Sequence, residues 1–221
     1  MNLKIVVATI LFCSAALAQT TAPSKEPQKA NSRPPASTSV ETKGEPFDGA
    51  DAKTMAGQCV RLDTEAGLIE IELYPEQAPE SVRNFLNLTA TGLFDTTTFS
   101  RVVPGFVIQG GNIWSREGGK VSREMGARAR RTIPDEPNKI LHERGVVSMA
   151  RPDEPNQAKT DFFILVAAAS YLDGKFAAFG RVTTGMEVVD EINKAAVNDE
   201  KPEKPVRVKK ATTFGCVPSR R

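Results

Sequence analysis

The 221-residue sequence has one histidine, one tryptophan and three cysteines. A single histidine excludes a His-cluster metal centre, and the cysteines are too far apart along the chain for a local zinc knuckle. With 29 basic and 27 acidic side chains the formal net charge is only +2, so the basic footprint of a nucleic-acid binder is missing. No apolar run reaches the roughly 20 residues needed to span a bilayer. No serine lies in a nucleophile elbow, and Gly118-Gly119-Lys120 lacks the spacing of a phosphate loop. Neither metal nor cofactor is therefore expected. The composition, 40% hydrophobic and 25% charged, suits the core of one ordinary domain with residues to spare.

Residues 1–18 read as an export signal: Lys4 gives a short positive start, residues 5–17 are almost wholly apolar, and Ala16-Leu17-Ala18 supplies small residues for cleavage before Gln19. Bulky Phe12 argues against lipid attachment at Cys13. A periplasmic or secreted location follows, with no stable membrane span after cleavage. Two cysteines remain, Cys59 and Cys216, and an oxidising compartment favours a disulfide between them; the alternative is two unpaired, buried thiols. Residues 19–56, rich in Pro, Ser, Thr, Lys and Glu without apolar periodicity, read as a flexible linker. The folded domain is expected over 57–221.

Within it, Ile69, Ile71 and Leu73 alternate with Glu70 and Glu72, the pattern of a strand with one wet face. Pro79 opens a helical stretch with Val82, Phe85, Leu86 and Thr89 on one face, and Gly92 closes it. Further strands are expected at 99–108, 145–150, 162–166, 177–182 and 206–214. A second helix is expected from Gly185 to about Ala195, with Met186, Val189 and Ile192 inward. Many short strands with two helices point to a mainly β closed barrel plugged at its ends. Antiparallel pairing of the first and last strands would make neighbours of Cys59, expected just before the first, and Cys216, expected just after the last.

The motifs FSRVVPGFVIQGGN (99–112), IPDE (133–136), RGVVSMAR (144–151), DFFI (161–164), YLDGKFAAFGRV (171–182) and GMEVVDEI (185–192) occur in this order along the chain. In order and spacing the set resembles the cyclophilins. The resemblance implies an eight-stranded antiparallel β-barrel capped by two α-helices. It also implies peptidyl-prolyl cis-trans isomerase activity on the X-Pro bonds of exported proteins, with proline-containing clients and a monomeric enzyme. The alternative is a catalytically weak cyclophilin-like peptide-binding module or chaperone.

Rotation about a peptide bond meets a barrier of about 18–20 kcal/mol, because the nitrogen lone pair is delocalised into the carbonyl. A catalyst must hold the proline ring in a dry pocket and donate a hydrogen bond to the nitrogen as it pyramidalises. Arg101 suits that role, since its guanidinium is always charged and its planar fork grips two atoms. It cannot act alone: a 10⁵-fold acceleration requires about 7 kcal/mol, and one charge-assisted hydrogen bond in water supplies about 1.5–3 kcal/mol. Water exclusion and substrate fixation must provide the rest. By position, the resemblance assigns the proline pocket to Phe106, Met149, Phe163, Leu172 and Phe176. It has Gln109 brace Arg101, and Ala150 and Arg151 line the peptide groove.

Four positions depart from the family pattern: Ser100 precedes the arginine where His is common, Tyr171 stands for Trp, Phe176 for a pocket His, and Asp161 for Gln. An ionised Asp161 accepts but cannot donate; it is expected either to pair with Arg101 or Arg151 or to face water at the groove edge. Residues 116–131 carry six basic and two acidic side chains and read as a solvated loop, with Trp114 at its start. His142 reads as a surface residue beside Glu143. The sequon Asn87-Leu88-Thr89 falls on the expected helix and reads as accidental.

Overall fold

The computed structural model describes residues 44–217. The expected signal, Cys13, the start at Gln19 and most of the linker lie outside the described residues. In chain order the elements are α1 (Ala52–Met55), β1 (Gln58–Thr64), β2 (Leu68–Leu73), α2 (Pro79–Ala90), β3 (Arg101–Val103), β4 (Val107–Gly110) and α3 (Arg123–Ala129). They continue with β5 (Val146–Met149), β6 (Phe162–Leu165), β7 (Ala178–Thr184), α4 (Met186–Asn193), β8 (Val197–Asn198), β9 (Lys201–Pro202) and β10 (Val208–Gly215).

Eight strands form one sheet in the order β10-β1-β2-β7-β5-β6-β4-β3, and every ladder in it is antiparallel. The sheet curls until its edges meet. Thr98 and Arg207 form a bridge, flanked by Phe99 N–H to Val206 O at 2.9 Å and Val208 N–H to Thr97 O at 2.8 Å. Closure thus rests on a few bonds made just outside β3 and at the entrance of β10. Alternation dictates which face turns inward. Val60 and Leu62 of β1 and Ile69 and Ile71 of β2 are fully buried, whereas Arg61 lies outside and ion-pairs with Glu70 directly across the ladder.

Helix α2 begins at Pro79, but its N-cap Ala78 offers no side-chain acceptor. Glu136 takes that place from 55 residues away: its carboxylate accepts from Ser81 N–H and Oγ, and from Glu80 N–H. A carboxylate there satisfies orphan amides and opposes the helix dipole. Phe85 on the buried face meets Phe94, Phe162 and Phe179 with ring centroids at 5.2, 5.1 and 4.9 Å. Gly92 and Leu93 then close the helix through bonds to Thr89 O and Leu88 O. Val189 and Ile192 of α4 are buried.

Three sequence expectations change here. The strand expected at 99–108 is a hairpin: Pro104-Gly105 turns the chain, with Gly105 at φ 74° and Phe106 N–H bonded to Val103 O. The first strand, β1, contains Cys59 instead of following it, and its Cα partner Phe214 lies two residues from Cys216. The expected linker ends earlier than residue 56. Met55 is fully buried, Phe47 packs against the core, and Arg83 donates to Ala50 O. The disulfide Cys59–Cys216 is present, with Cα atoms 5.9 Å apart.

The basic loop is not a plain solvated loop either. It holds a short 3-10 turn and α3; Arg116 donates to Gly92 O and Leu93 O, and buried Arg128 pairs with Glu45 and Asn84. Lys120, Arg123, Arg130 and Arg131 stay exposed. Asn87 of the sequon is buried and bonded to Phe47 N–H.

Candidate active site

Register builds the site. Arg101 of β3 faces Gln109 of β4, Gln109 faces Phe163 of β6, Phe163 faces Ser148 of β5, and Ser148 faces Ala178 of β7. Directly opposed residues point to the same side of a sheet, so this row shares the outer face. Residues two positions along belong to that face as well, which brings in Val107, Leu165 and Val146. These side chains form a second apolar cluster, separate from the barrel interior, with Phe163, Leu172 and Ala178 buried and Phe106, Ala150 and Phe176 half-buried upon it.

The cluster corrects one assignment. Met149 follows Ser148 and therefore faces the other way; it is 2% exposed and packs in the barrel interior. Val107 takes its place in the pocket cluster. The period of two marks Val107 in the sequence, since it lies two residues before Gln109.

Along one side of the row runs a groove of about 550 Å³ lined by Arg101, Gln109, Ala150, Arg151, Pro152, Gln157, Lys159 and Asp161. Beside it, Phe176 meets Phe163 edge-on at 6.0 Å, and Tyr171, 59% exposed, places its ring 5.8 Å from Phe106. Arg101 lines the polar groove, and Gln109, opposite it on the ladder, faces Phe163 of the apolar cluster. Gln109 Oε1 accepts from its Nη1 at 3.2 Å. Arg151 stacks 4.9 Å over the Phe176 ring and pairs with Asp135 at 3.1 Å.

Asp161 pairs with neither arginine. Arg101 takes Glu200 at 2.7 Å instead, and Arg151 takes Asp135. Asp161 accepts from Thr160 Oγ1 at 3.2 Å. Burial raises its carboxyl above the ordinary value of 3.8, opposed by hydrogen bonds from Thr160 and Gln109. Gly111 allows this approach: a Cβ there would lie 2.2 Å from Thr160 O.

His142 is 1% exposed, not a surface residue. Its Nδ1 is 3.1 Å from Asp173 Oδ1, its Nε2 is 2.9 Å from Ser148 Oγ, and its ring stacks on Phe163. The order Ser-His-Asp is that of a nucleophile relay, but Ser148 is fully buried, so no substrate reaches it. The relay ties the segment bearing Tyr171, Leu172 and Phe176 to β5. The His142 backbone N–H is the main cause holding the Asp173 carboxyl below its usual range.

Glu200 was not legible as a site residue. It occupies the β8–β9 turn, where Asp199 and Glu200 have φ of 50° and 62°. Non-glycine residues in this region cost about 1–2 kcal/mol each. The Arg101–Glu200 pair, with side chains 40% and 48% exposed, contributes about 0–1 kcal/mol.

Residues 59–213 match the family described as cyclophilin type peptidyl-prolyl cis-trans isomerase/CLD. The chain belongs to the cyclophilin family. A peptidyl-prolyl cis-trans isomerase of Acinetobacter baylyi is 34% identical over 71% of this chain and 86% of its own. Peptidyl-prolyl cis-trans isomerase A of Dickeya dadantii is 37% identical over 69% and 82%. A Cryptosporidium parvum cyclophilin, crystallised in the presence of the dipeptide Ala-Pro, superposes with a TM-score of 0.62 at 28% identity, over 71% of this chain and 99% of its own. This cyclophilin is accordingly a peptidyl-prolyl cis-trans isomerase.

Proposed function

We propose that the chain is an exported prolyl isomerase that speeds the folding of exported proteins, with Arg101 as the donor to the prolyl nitrogen. The row Arg101–Gln109–Phe163 carries this reading, because it sets a permanent cation at the edge of a dry aromatic surface. The proline ring would rest on Phe106, Phe163, Leu172 and Phe176, with Val107 beneath them. Ala150 and Arg151 would line the course of the peptide. Gln109 holds the guanidinium, and a low-dielectric surround strengthens its bond to the nitrogen. Slow X-Pro steps limit many folding reactions, and a monomer with a free groove suits extended clients.

Export is supported by the N-terminal signal pattern, and a Cys59–Cys216 bridge fits an oxidising compartment. Among the described residues no helix is long and apolar enough to cross a membrane. The alternative, a peptide-binding module with weak turnover, draws on Asp161, which in ionised form cannot make the donation of an amide.

An isomerase assay on an X-Pro peptide tests the reading. Arg101→Ala should lower kcat/KM by about 100-fold, the scale of losing one preorganised donor, while peptide binding persists. Equal turnover in both proteins would remove Arg101 from the chemistry. An inactive wild type that still binds peptide would favour the second reading. N-terminal sequencing of exported protein should begin at Gln19.

A further inference from the structure

We propose that Glu200 is a positioning residue for Arg101: its carboxylate, presented by the strained β8–β9 turn, fixes the plane of the guanidinium over the groove. This rests on Arg101 as the donor to the prolyl nitrogen. A guanidinium at the end of a long flexible stem loses rate if its fork wanders. Two anchors from different elements prevent that here. Glu200 Oε2 accepts from Nε at 2.7 Å, and Gln109 Oε1 accepts from Nη1 at 3.2 Å. Contacts at two points of a rigid planar group set its orientation, and neither contact uses Nη2.

The turn is built to deliver the carboxylate. Val102 N–H donates to Glu200 O at 2.8 Å, so the backbone of Glu200 is tied to β3 one residue beyond Arg101. Both central residues of the turn hold positive φ, a conformation that glycine adopts without strain. An exposed ion pair is too weak to offset that strain, so stability does not account for a carboxylate at this position. Strain of this kind persists where placement of a group matters. Placement of the Arg101 partner is what the turn achieves.

The test measures kcat and KM on an X-Pro peptide for wild type, Glu200→Gln, Glu200→Asp, Asp199→Gly, Arg101→Ala and the double variant Arg101→Ala/Glu200→Gln, each with its melting temperature. Glu200→Gln should lower kcat by about 5–10-fold with KM and melting temperature little changed, the signature of lost orientation. Glu200→Asp should restore part of the rate. Asp199→Gly relieves strain but keeps the carboxylate; it should melt higher than wild type at full kcat. In the Arg101→Ala background, Glu200→Gln should cost nothing further. Wild-type kcat in Glu200→Gln beside a crippled Arg101→Ala overturns the proposal alone. An active Arg101→Ala overturns the role of Arg101, and this proposal with it. A loss from Glu200→Gln that persists in the Arg101→Ala background also overturns it, because the effect would not pass through the arginine.

Discussion

At the scale of single residues the site is decided by parity and by charge. Val107 and Met149 are both apolar and both close to a site residue in sequence, yet only Val107 shares the face of Gln109. Of the residues that the resemblance assigns, Arg101 and Gln109 are hydrogen-bonded and Phe106, Phe163, Leu172 and Phe176 share the outer cluster, whereas Met149 packs inside, because successive residues of a strand take opposite faces. Asp161 yields a prediction with a definite sign. Because burial raises its carboxyl, the folded chain holds that proton more tightly than the unfolded chain. The favourable contribution is complete below the ordinary value of 3.8 and is lost as pH rises through the raised folded value. Asp161→Asn, which carries no charge, should therefore melt higher than wild type at pH 7, by about 2–4 °C per kcal/mol relieved. Thermal melts from pH 3 to 7 should show the gap closing toward acid, and a gap constant across that range would contradict the account.

At the scale of elements, the β3–β4 hairpin presents both Arg101 and Gln109, and its turn is held from outside. Asn193, in the last turn of α4, accepts from Gly105 N–H at 2.8 Å and donates to Val103 O and Val107 O at 2.9 and 3.0 Å. Asn193→Ala should cost about 2–4 kcal/mol, since three hydrogen bonds vanish, the one to Val107 O in a buried setting. Denaturant midpoints will measure this, and kcat/KM should fall as well because the hairpin carries the arginine. An Asn193→Asp variant should lose at least as much, because a carboxylate oxygen would then face the Val103 and Val107 carbonyls with no proton to donate. The two long helices and most strands were legible from periodicity. The hairpin was not, because an apolar run continues across Pro104-Gly105, and the cap from Glu136 was not, because its helix lies 55 residues earlier. The helix α1 and its buried Met55 were masked by the polar composition of the segment around them.

For the whole molecule, the mainly β architecture, the two capping helices and the Cys59–Cys216 pairing were all readable. Closure at Thr98 and Arg207 was not, since a single bridge between loop residues leaves no periodic trace. The disulfide spans 157 residues. Closing so long a loop limits the unfolded chain, and its loss should cost about 2–4 kcal/mol. Paired Cys59→Ser and Cys216→Ser substitutions should lower the guanidinium midpoint by a corresponding amount while keeping isomerase activity, because the β1–β10 ladder remains. Loss of the fold altogether would show that the bridge does more than restrain the unfolded ensemble.

The seating of β1 between β2 and β10 also sets a timetable. A chain emerging from a ribosome delivers β1 early, but its second neighbour arrives only with residues 208–215. Until then one flank of β1 has no strand to pair with, and the barrel cannot shut. The strand that seals the sheet is thus also the last one in the chain.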